Sequence, residues 1–142
     1  MKMIACSHDS HAKTESIDMS TRSFIGYQAT VDEIRGMYCH YDGYPSHVGA
    51  ILAKHHNSFA AMTDIISGGQ IRNFDSDGTI CRFGDARVDD VESYSSVKEA
   101  LDQVFDYVYL FDEFNQEWVC YGKDYSNALR PIVECEIPVE IA

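Results

Sequence analysis

Five side chains that can bind ligands or transfer protons lie within one short stretch of this sequence. They are Tyr38, His40, Asp42, Tyr44 and His47. Asp42-Gly43 is a turn-forming pair in which Gly43 can supply a positive φ, and Pro45 suits the first turn of a helix. We therefore expect these side chains to cluster at a corner between a strand and a helix, where free N–H groups of the helix favour ligand binding.

Two kinds of catalytic chemistry would also use these residue types. Cys39 and His40 are adjacent, so on a strand they point to opposite faces and cannot form a nucleophile–base pair; Cys39 would need His47 folded back onto it. His40, Asp42 and His47 could instead bind a metal, but three ligands from one corner require a geometry that their spacing does not provide. We prefer the interpretation that His40 clamps the turn by hydrogen bonding, and we expect a protein without a cofactor that is not an enzyme.

The hydrophobic pattern predicts the elements that would hold this corner in place. Arg22–Thr30 and Glu33–Tyr41 alternate as strands do, and the short connection between them indicates a hairpin. Three further stretches have apolar residues at helical spacing, and the second and third begin with serines suited to capping. They are Pro45–Asn57, Ser58–Ser67 and Ser96–Val104.

The later part of the chain is rich in strand-forming residues. Gln70–Gly84 is expected to form a hairpin or a pair of irregular strands around Asp77-Gly78, and Tyr107–Asp112 is expected to form a hairpin with Glu117–Tyr121. Ala128–Glu136 predicts an edge strand, because Pro131 cannot donate a hydrogen bond to a neighbouring strand.

These patterns together predict one α+β domain over residues 20–142. We expect a mostly antiparallel sheet with two to three helices packed on one face. Residues 1–19 are polar and aperiodic, which is typical of a flexible N-terminal arm.

Composition narrows the class of protein. The 142 residues are the length of one domain, and the net charge of −12 disfavours direct binding to nucleic-acid phosphates or anionic membranes. The five cysteines include no C-x-x-C pair, so we expect buried free thiols at Cys39 and Cys120 and a reducing compartment. No apolar run approaches the ~18 residues of a membrane span, and we see no secretory signal.

Carboxylates are concentrated between Asp75 and Glu92, a stretch that we call the acidic segment. Its apolar periodicity is weak, so Asp85–Ser95 is expected to be a loop. Like charges this close repel, and exposed charges stabilise a fold little, so the segment has no evident role in folding. We predict that it contacts a basic partner. The candidate residues are Asp85, Asp89 and Asp90.

The run Tyr38–Pro45, Y-C-H-Y-D-G-Y-P, resembles a family of small uncharacterised proteins of bacteriophages and bacterial mobile elements. Members typically read Y-C-H-W-D-G-Y-P, so Tyr41 stands here where Trp is usual. Their first strand, of the S-x-I-G type, is similar to Ser23–Gly26, and their aromatic hairpin is similar to Tyr109–Tyr121. The resemblance implies an origin rather than an activity: a phage accessory protein acting in the host bacterial cytoplasm.

Hypotheses from different functional classes follow. The first is a non-enzymatic, anti-CRISPR-like inhibitor whose acidic surface binds a bacterial host protein, such as a nucleic-acid-binding defence effector. The alternative is a binder of a small signalling nucleotide, with its phosphate at the Pro45 helix and its base stacked on aromatic rings. A small hydrolase or metal protein using the corner is a further alternative. The candidate stacking residues are Tyr38, Tyr44, Trp118 and Tyr121.

Overall fold

The computed structural model describes residues 20–87, 89–103, 105–123 and 132–138, and the expected N-terminal arm lies outside them. Within these residues the strands are β1 (Ser23–Thr30), β2 (Glu33–Cys39), β3 (Ile71–Phe74), β4 (Ile80–Arg82), β5 (Glu92–Tyr94), β6 (Tyr107–Asp112), β7 (Glu117–Lys123) and β8 (Ile132–Cys135). The helices are α1 (Ala50–His55), which continues a π-helical turn at Pro45–Gly49, α2 (Phe59–Ile66) and α3 (Val97–Asp102).

All of these strands belong to one sheet, in the order β4-β3-β2-β1-β6-β7-β8, and β5 also pairs with β2, at Ile34–Gly36 on the edge where Cys39 pairs with β3. The α+β class is therefore confirmed. The sheet is mixed, because β1 runs parallel to β6 and β2 runs parallel to β3. Among the described residues, no helix has the length and apolar character needed to span a bilayer.

The three expected hairpins are present. β1 and β2 are joined at Val31, and β3 and β4 are joined by a turn in which Gly78 has a φ of 96°. β6 and β7 pair along their whole length, and β8 lies at one edge of the sheet, where a last strand was expected. Residues 128–131 of that expected strand lie outside the described residues.

The expectation of a loop over Asp85–Ser95 was wrong in its last part. Glu92–Tyr94 forms β5, which pairs antiparallel with Ile34–Gly36 of β2. The stretch carries little apolar pattern because its pairing depends on backbone hydrogen bonds, and backbone groups leave no signature in side-chain hydropathy.

Both predicted serine caps are confirmed. Ser58 Oγ accepts a hydrogen bond from Ala61 N at 3.0 Å, and Ser96 Oγ accepts one from Glu99 N at 3.1 Å. The Glu99 carboxylate reaches back to the Ser95 backbone N–H, one residue before the cap, whereas the glutamate of a capping box accepts from the N–H of the cap residue itself.

The helices divide between the two faces of the sheet. The π-helical turn, α1 and α2 bury Val48, Leu52 and Met62 against one face, which also contains Ile25 and Tyr109. α3 packs on the opposite face. The core residues on this second face are Phe24, Ile34, Ala100, Leu101, Phe105, Val108 and Leu110. The expectation that the helices pack on one face of the sheet was therefore wrong for α3, which covers the other side. The face that a helix covers depends on contacts with distant strands, which hydropathy does not record.

Two glycines bring β1 and β2 into unusually close contact. Gly26 lies directly opposite Gly36, and a Cβ on Gly26 would stand 2.5 Å from Gly36 Cα and would overlap the carbonyl oxygen of Arg35. Gly26 is also the last residue of β1 that pairs with β6, through Leu110. The glycine contact therefore lies where β1 leaves its parallel neighbour.

This contact gives the first prediction. Gly26→Ala should lower the free energy of unfolding by about 3 kcal/mol, because neither backbone can move without breaking the strand pairing. Gly84→Ala is the matched control: nothing lies within 4 Å of its missing Cβ, and it should change stability by less than about 0.5 kcal/mol. Chemical denaturation measures both, and equal stabilities would show that the strands separate easily at this point.

His56 attaches the end of α1 to two neighbouring elements. Its Nε2 lies 2.9 Å from the Gly78 carbonyl, and its own carbonyl accepts a hydrogen bond from Trp118 Nε1 at 3.0 Å. A carbonyl only accepts, so His56 Nε2 carries the proton. Burial lowers the pKa of His56 below its ordinary 6.5, because desolvation disfavours the charged imidazole.

A lowered histidine pKa has a defined effect on stability. Below about pH 6.5 the unfolded chain binds more protons at His56 than the folded chain, so stability falls as the pH falls. We expect the melting temperature of His56→Gln to decline less than that of the wild type between about pH 7 and pH 5. Asn57→Gln, at an exposed neighbour without a titratable side chain, should keep the wild-type slope; identical slopes for all three proteins would contradict the assignment.

Candidate functional site

A hydrogen-bonded chain joins β1 to the end of β2. Arg22 Nε donates to the Tyr38 hydroxyl oxygen at 3.0 Å, and that oxygen lies 2.6 Å from His40 Nδ1. Because Arg22 can only donate, the Tyr38 hydroxyl proton is available to Nδ1. His40 Nε2 in turn lies 3.4 Å from Ser20 Oγ, so His40 is held through both ring nitrogens.

Aromatic rings surround these hydrogen-bonded side chains on the α3 face of the sheet. The Tyr38 ring centroid lies 5.8 Å from that of Phe105, and the His40 ring meets Tyr41 edge-on at 4.4 Å and Phe83 at 5.9 Å. The expected clamp of His40 across Asp42-Gly43 is therefore wrong. Strand alternation places His40 beside Tyr38, two residues earlier on the same face, rather than over the turn that follows.

His47 belongs to a separate contact. Its Nε2 lies 2.9 Å from the carbonyl oxygen of Phe74, a residue of the core on the α1 and α2 face, and must donate to it. His47 is thus used to attach the π-helical turn to the end of β3. The five predicted side chains consequently do not converge on one point: Tyr38 and His40 form one contact, and His47 forms another, with the Tyr44 ring 6.1 Å from His47.

The turn between these contacts is strained at a different residue from the one expected. Asp42, not Gly43, has the positive φ, at 58°. Gly43 is required for space, since a Cβ there would stand 2.8 Å from both Ser23 Cβ and the Thr21 carbonyl oxygen. Gly43 N also donates to Thr21 O at 2.8 Å, and its carbonyl accepts the buried Tyr109 hydroxyl at 2.7 Å. The turn is therefore held by its backbone.

Two of the described cysteines are buried free thiols. Cys39 is a fully buried free thiol, as predicted, and burial raises its pKa to about 12, so it stays protonated. Cys120 is likewise a buried free thiol. Cys81 is disulfide-bonded, which the inference of a reducing compartment did not anticipate. In the part of the chain that the structure describes, no three His, Cys, Asp or Glu side chains are placed to hold a metal ion.

The aromatic residues proposed for base stacking are separated. Trp118 is 6% exposed, packs on Phe111 at 5.2 Å and lies on the α1 and α2 face, whereas Tyr38 and Tyr121 pack on the α3 face. Tyr44 is 38% exposed and lies beyond the corner. They do not line a common site, because a residue's face follows from its strand register, which the sequence did not reveal.

The acidic segment contains carboxylates with two different roles. Asp90 Oδ2 accepts hydrogen bonds from Arg87 N at 2.8 Å and Gln70 N at 3.3 Å, and these N–H groups lower its pKa. Asp77 Oδ1 similarly accepts from Thr79 N at 3.0 Å. The expectation that the segment has no role in folding was therefore wrong for these two residues, whose carboxylates close turns.

Asp85 and Asp89 are instead exposed. Asp89 Oδ1 lies 3.5 Å from Arg87 Nε, a pair in which both side chains are more than two-thirds exposed, and Asp85 lies in the turn after β4. Asp90 fixes the loop on which they are carried. Of the three predicted contact residues, two are therefore presented to solvent and one holds the loop in place.

A crevice that the sequence pattern did not predict lies at the far end of β1. It has a volume of about 270 Å³ and lies between the second half of β1 and the ends of β6 and β7, with Tyr27, Phe59 and Tyr121 among its walls. It depends on the parallel pairing of β1 with β6. Gly26 is the last residue of that pairing, and a single glycine in a strand does not predict a cavity.

The chain was compared with family models, curated proteins and solved structures. No family model, curated protein or solved structure matches the chain. The resemblance of Tyr38–Pro45 to phage and mobile-element proteins therefore stays a prediction from the motif.

The backbone conformation of Asp42 gives a prediction that separates shape from chemistry. Asp42→Gly should stay within about 0.5 kcal/mol of the wild-type free energy of unfolding, because glycine adopts a positive φ freely. Asp42→Val should cost about 1–2 kcal/mol, because a β-branched residue is strained in that region. Asp85→Val, at a residue without a positive φ, is the control and should be nearly neutral.

Thermal and chemical unfolding measure these variants. If Asp42→Gly is as unstable as Asp42→Val, the carboxylate rather than the backbone angle stabilises the turn, and the explanation from the positive φ is wrong.

Proposed function

We propose that this chain is a non-enzymatic phage accessory protein that inhibits a bacterial defence protein in the host cytoplasm by binding it through the acidic segment. The net charge of −12 and the resemblance of the corner motif support this proposal. The partner is expected to be a basic surface built for nucleic acid, on which carboxylates take the place of phosphates. Neither direct nucleic-acid binding nor membrane binding is part of the function.

The observation that carries the proposal is the fixed presentation of Asp85 and Asp89. Asp90 accepts two backbone hydrogen bonds, from Gln70 and from Arg87, and so attaches the loop to the segment preceding β3. A loop held in this way loses little conformational freedom on binding, which favours affinity. Exposed carboxylates on it retain their attraction for a basic surface and accelerate encounter.

The side chains around the turn that follows β2 have a structural role alongside this acidic surface. His47 donates to the Phe74 carbonyl, and Gly43 is held by the Thr21 carbonyl and the Tyr109 hydroxyl. Tyr38 and His40 bond to each other and to Arg22 and Ser20. These contacts join β1, β2, β3 and the π-helical turn. The corner thus keeps the sheet in the arrangement that carries the acidic segment.

The proposal is tested by reversing the exposed charges. Wild-type protein expressed in bacteria that carry a CRISPR nuclease should raise the plating efficiency of a targeted phage at least tenfold. Asp85→Lys with Asp89→Lys should remove that gain, since the partner surface would be repelled. Asp90 is left unchanged because its replacement would release the loop.

A charge-matched control separates the surface from net charge. Asp102→Lys with Glu136→Lys changes the net charge equally at exposed residues outside the acidic segment and should retain protection. The association rate with the purified nuclease should fall as ionic strength rises for wild type and control. Protection by the Asp85/Asp89 variant, or an association rate independent of salt, would overturn the acidic-surface mechanism.

A further inference from the structure

The crevice at the end of β1 arises from the divergence of two parallel strands. β1 and β6 pair from Ser23 and Tyr107 as far as Gly26 and Leu110, and both strands then continue without pairing to each other. The space between them, about 270 Å³, is smaller than the roughly 300–1,000 Å³ typical of small-molecule pockets. It has the size to receive one or two side chains.

The walls of the crevice are aromatic. Tyr27 and Phe59 meet edge-on with ring centroids 6.4 Å apart, and Phe59 is 40% exposed at the start of α2. Tyr121 and Leu110 continue the lining on the other side of the sheet. Such rings offer both apolar contact and the negative π-face that attracts cations.

Two exposed apolar side chains flank this opening. Val31 is 88% exposed in the β1–β2 turn, and Phe114 is 93% exposed in the β6–β7 turn. Because β1 and β6 run parallel, both turns lie at the same end of the sheet. Val31 and Phe114 therefore offer apolar contact at the end of the sheet where the crevice opens.

The charge of the crevice is negative. Its lining residues include Asp112 and Glu113 and, among the residues described, no lysine or arginine. Arg35 reaches the Tyr27 hydroxyl at 3.4 Å, but its guanidinium is held by both carboxylate oxygens of Glu33 at 3.1 and 3.2 Å. The pKa of Tyr121 is consistent with this negative charge. It is raised first by burial and further by the carboxylates of Glu134 and Asp112.

We propose that this crevice docks an arginine side chain, carried between apolar residues on a segment of a partner protein. The aliphatic stem would lie against Tyr27 and Phe59, and the planar guanidinium would stack on an aromatic face and pair with the Glu113 carboxylate. Val31 and Phe114 would contact the flanking apolar residues. The site is separate from Asp85 and Asp89 and does not depend on the function proposed for the acidic segment.

The test uses a pair of peptides that differ by one charge. One is a fluorescein-labelled peptide with a Leu-Arg-Leu core, and the other replaces the arginine by citrulline, its uncharged isostere. Fluorescence anisotropy should show the arginine peptide binding the full chain about tenfold more tightly, as a charge-assisted hydrogen bond and a cation–π contact predict.

Variants locate the binding at the crevice. Glu113→Gln and Phe114→Ser should each weaken the arginine peptide about fivefold, and both residues are exposed, so the melting temperature should not change. Asp85→Asn removes one exposed carboxylate elsewhere and should leave the affinity unchanged.

Three outcomes would overturn the proposal. The arginine peptide fails to bind at millimolar concentration, both peptides bind equally, or Asp85→Asn weakens binding as much as Glu113→Gln does. The third outcome would assign the peptide to the acidic segment. Failure of the wild-type protein to protect the phage, with binding of the arginine peptide intact, would overturn only the function proposed above.

Discussion

The close contact of Gly26 with Gly36 is the constraint on which the arrangement of this sheet depends. Only glycine allows the two backbones to approach in this way, and the contact lies at the centre of the sheet, where β1 has β2 on one side and β6 on the other. At this residue β1 leaves β6, and the crevice opens beyond it. At the other end of β1, Gly43 packs on Thr21 and Ser23 for the same steric reason, which fixes the corner.

Local elements could be predicted from the sequence because local physics decides them. Alternation identified β1, β2, β6 and β7, and the serine caps Ser58 and Ser96 marked the starts of α2 and α3. Strand pairing and helix placement over long sequence distances could not be predicted. The parallel pairing of β1 with β6, the placement of α3 on the second face and the pairing of β5 with β2 depend on contacts between distant residues, and hydropathy records only which positions are buried.

The candidate site shows the same division. The strand period correctly put Tyr38 and His40 on one face and Cys39 on the other. It could not show that His47 would donate to the carbonyl of Phe74, or that Asp90 would accept from Gln70, because backbone groups twenty or more residues away carry no sequence signal. Residue types therefore indicated where polar contacts occur. The partners seen in the structure show that most of these contacts stabilise the fold.

The position of β1 also determines when the chain can complete its fold during synthesis. The backbone N–H of Arg22 donates to the Asp106 carboxylate, a contact that spans 84 residues. Until β6 has been made, one edge of β1 stays open, and Phe24 and Ile25 lack their partners Val108 and Tyr109. Contacts of such separation close slowly, and an open apolar strand edge is where nascent chains associate wrongly. A ribosome paused before β6 would therefore leave this strand edge open to association with other chains.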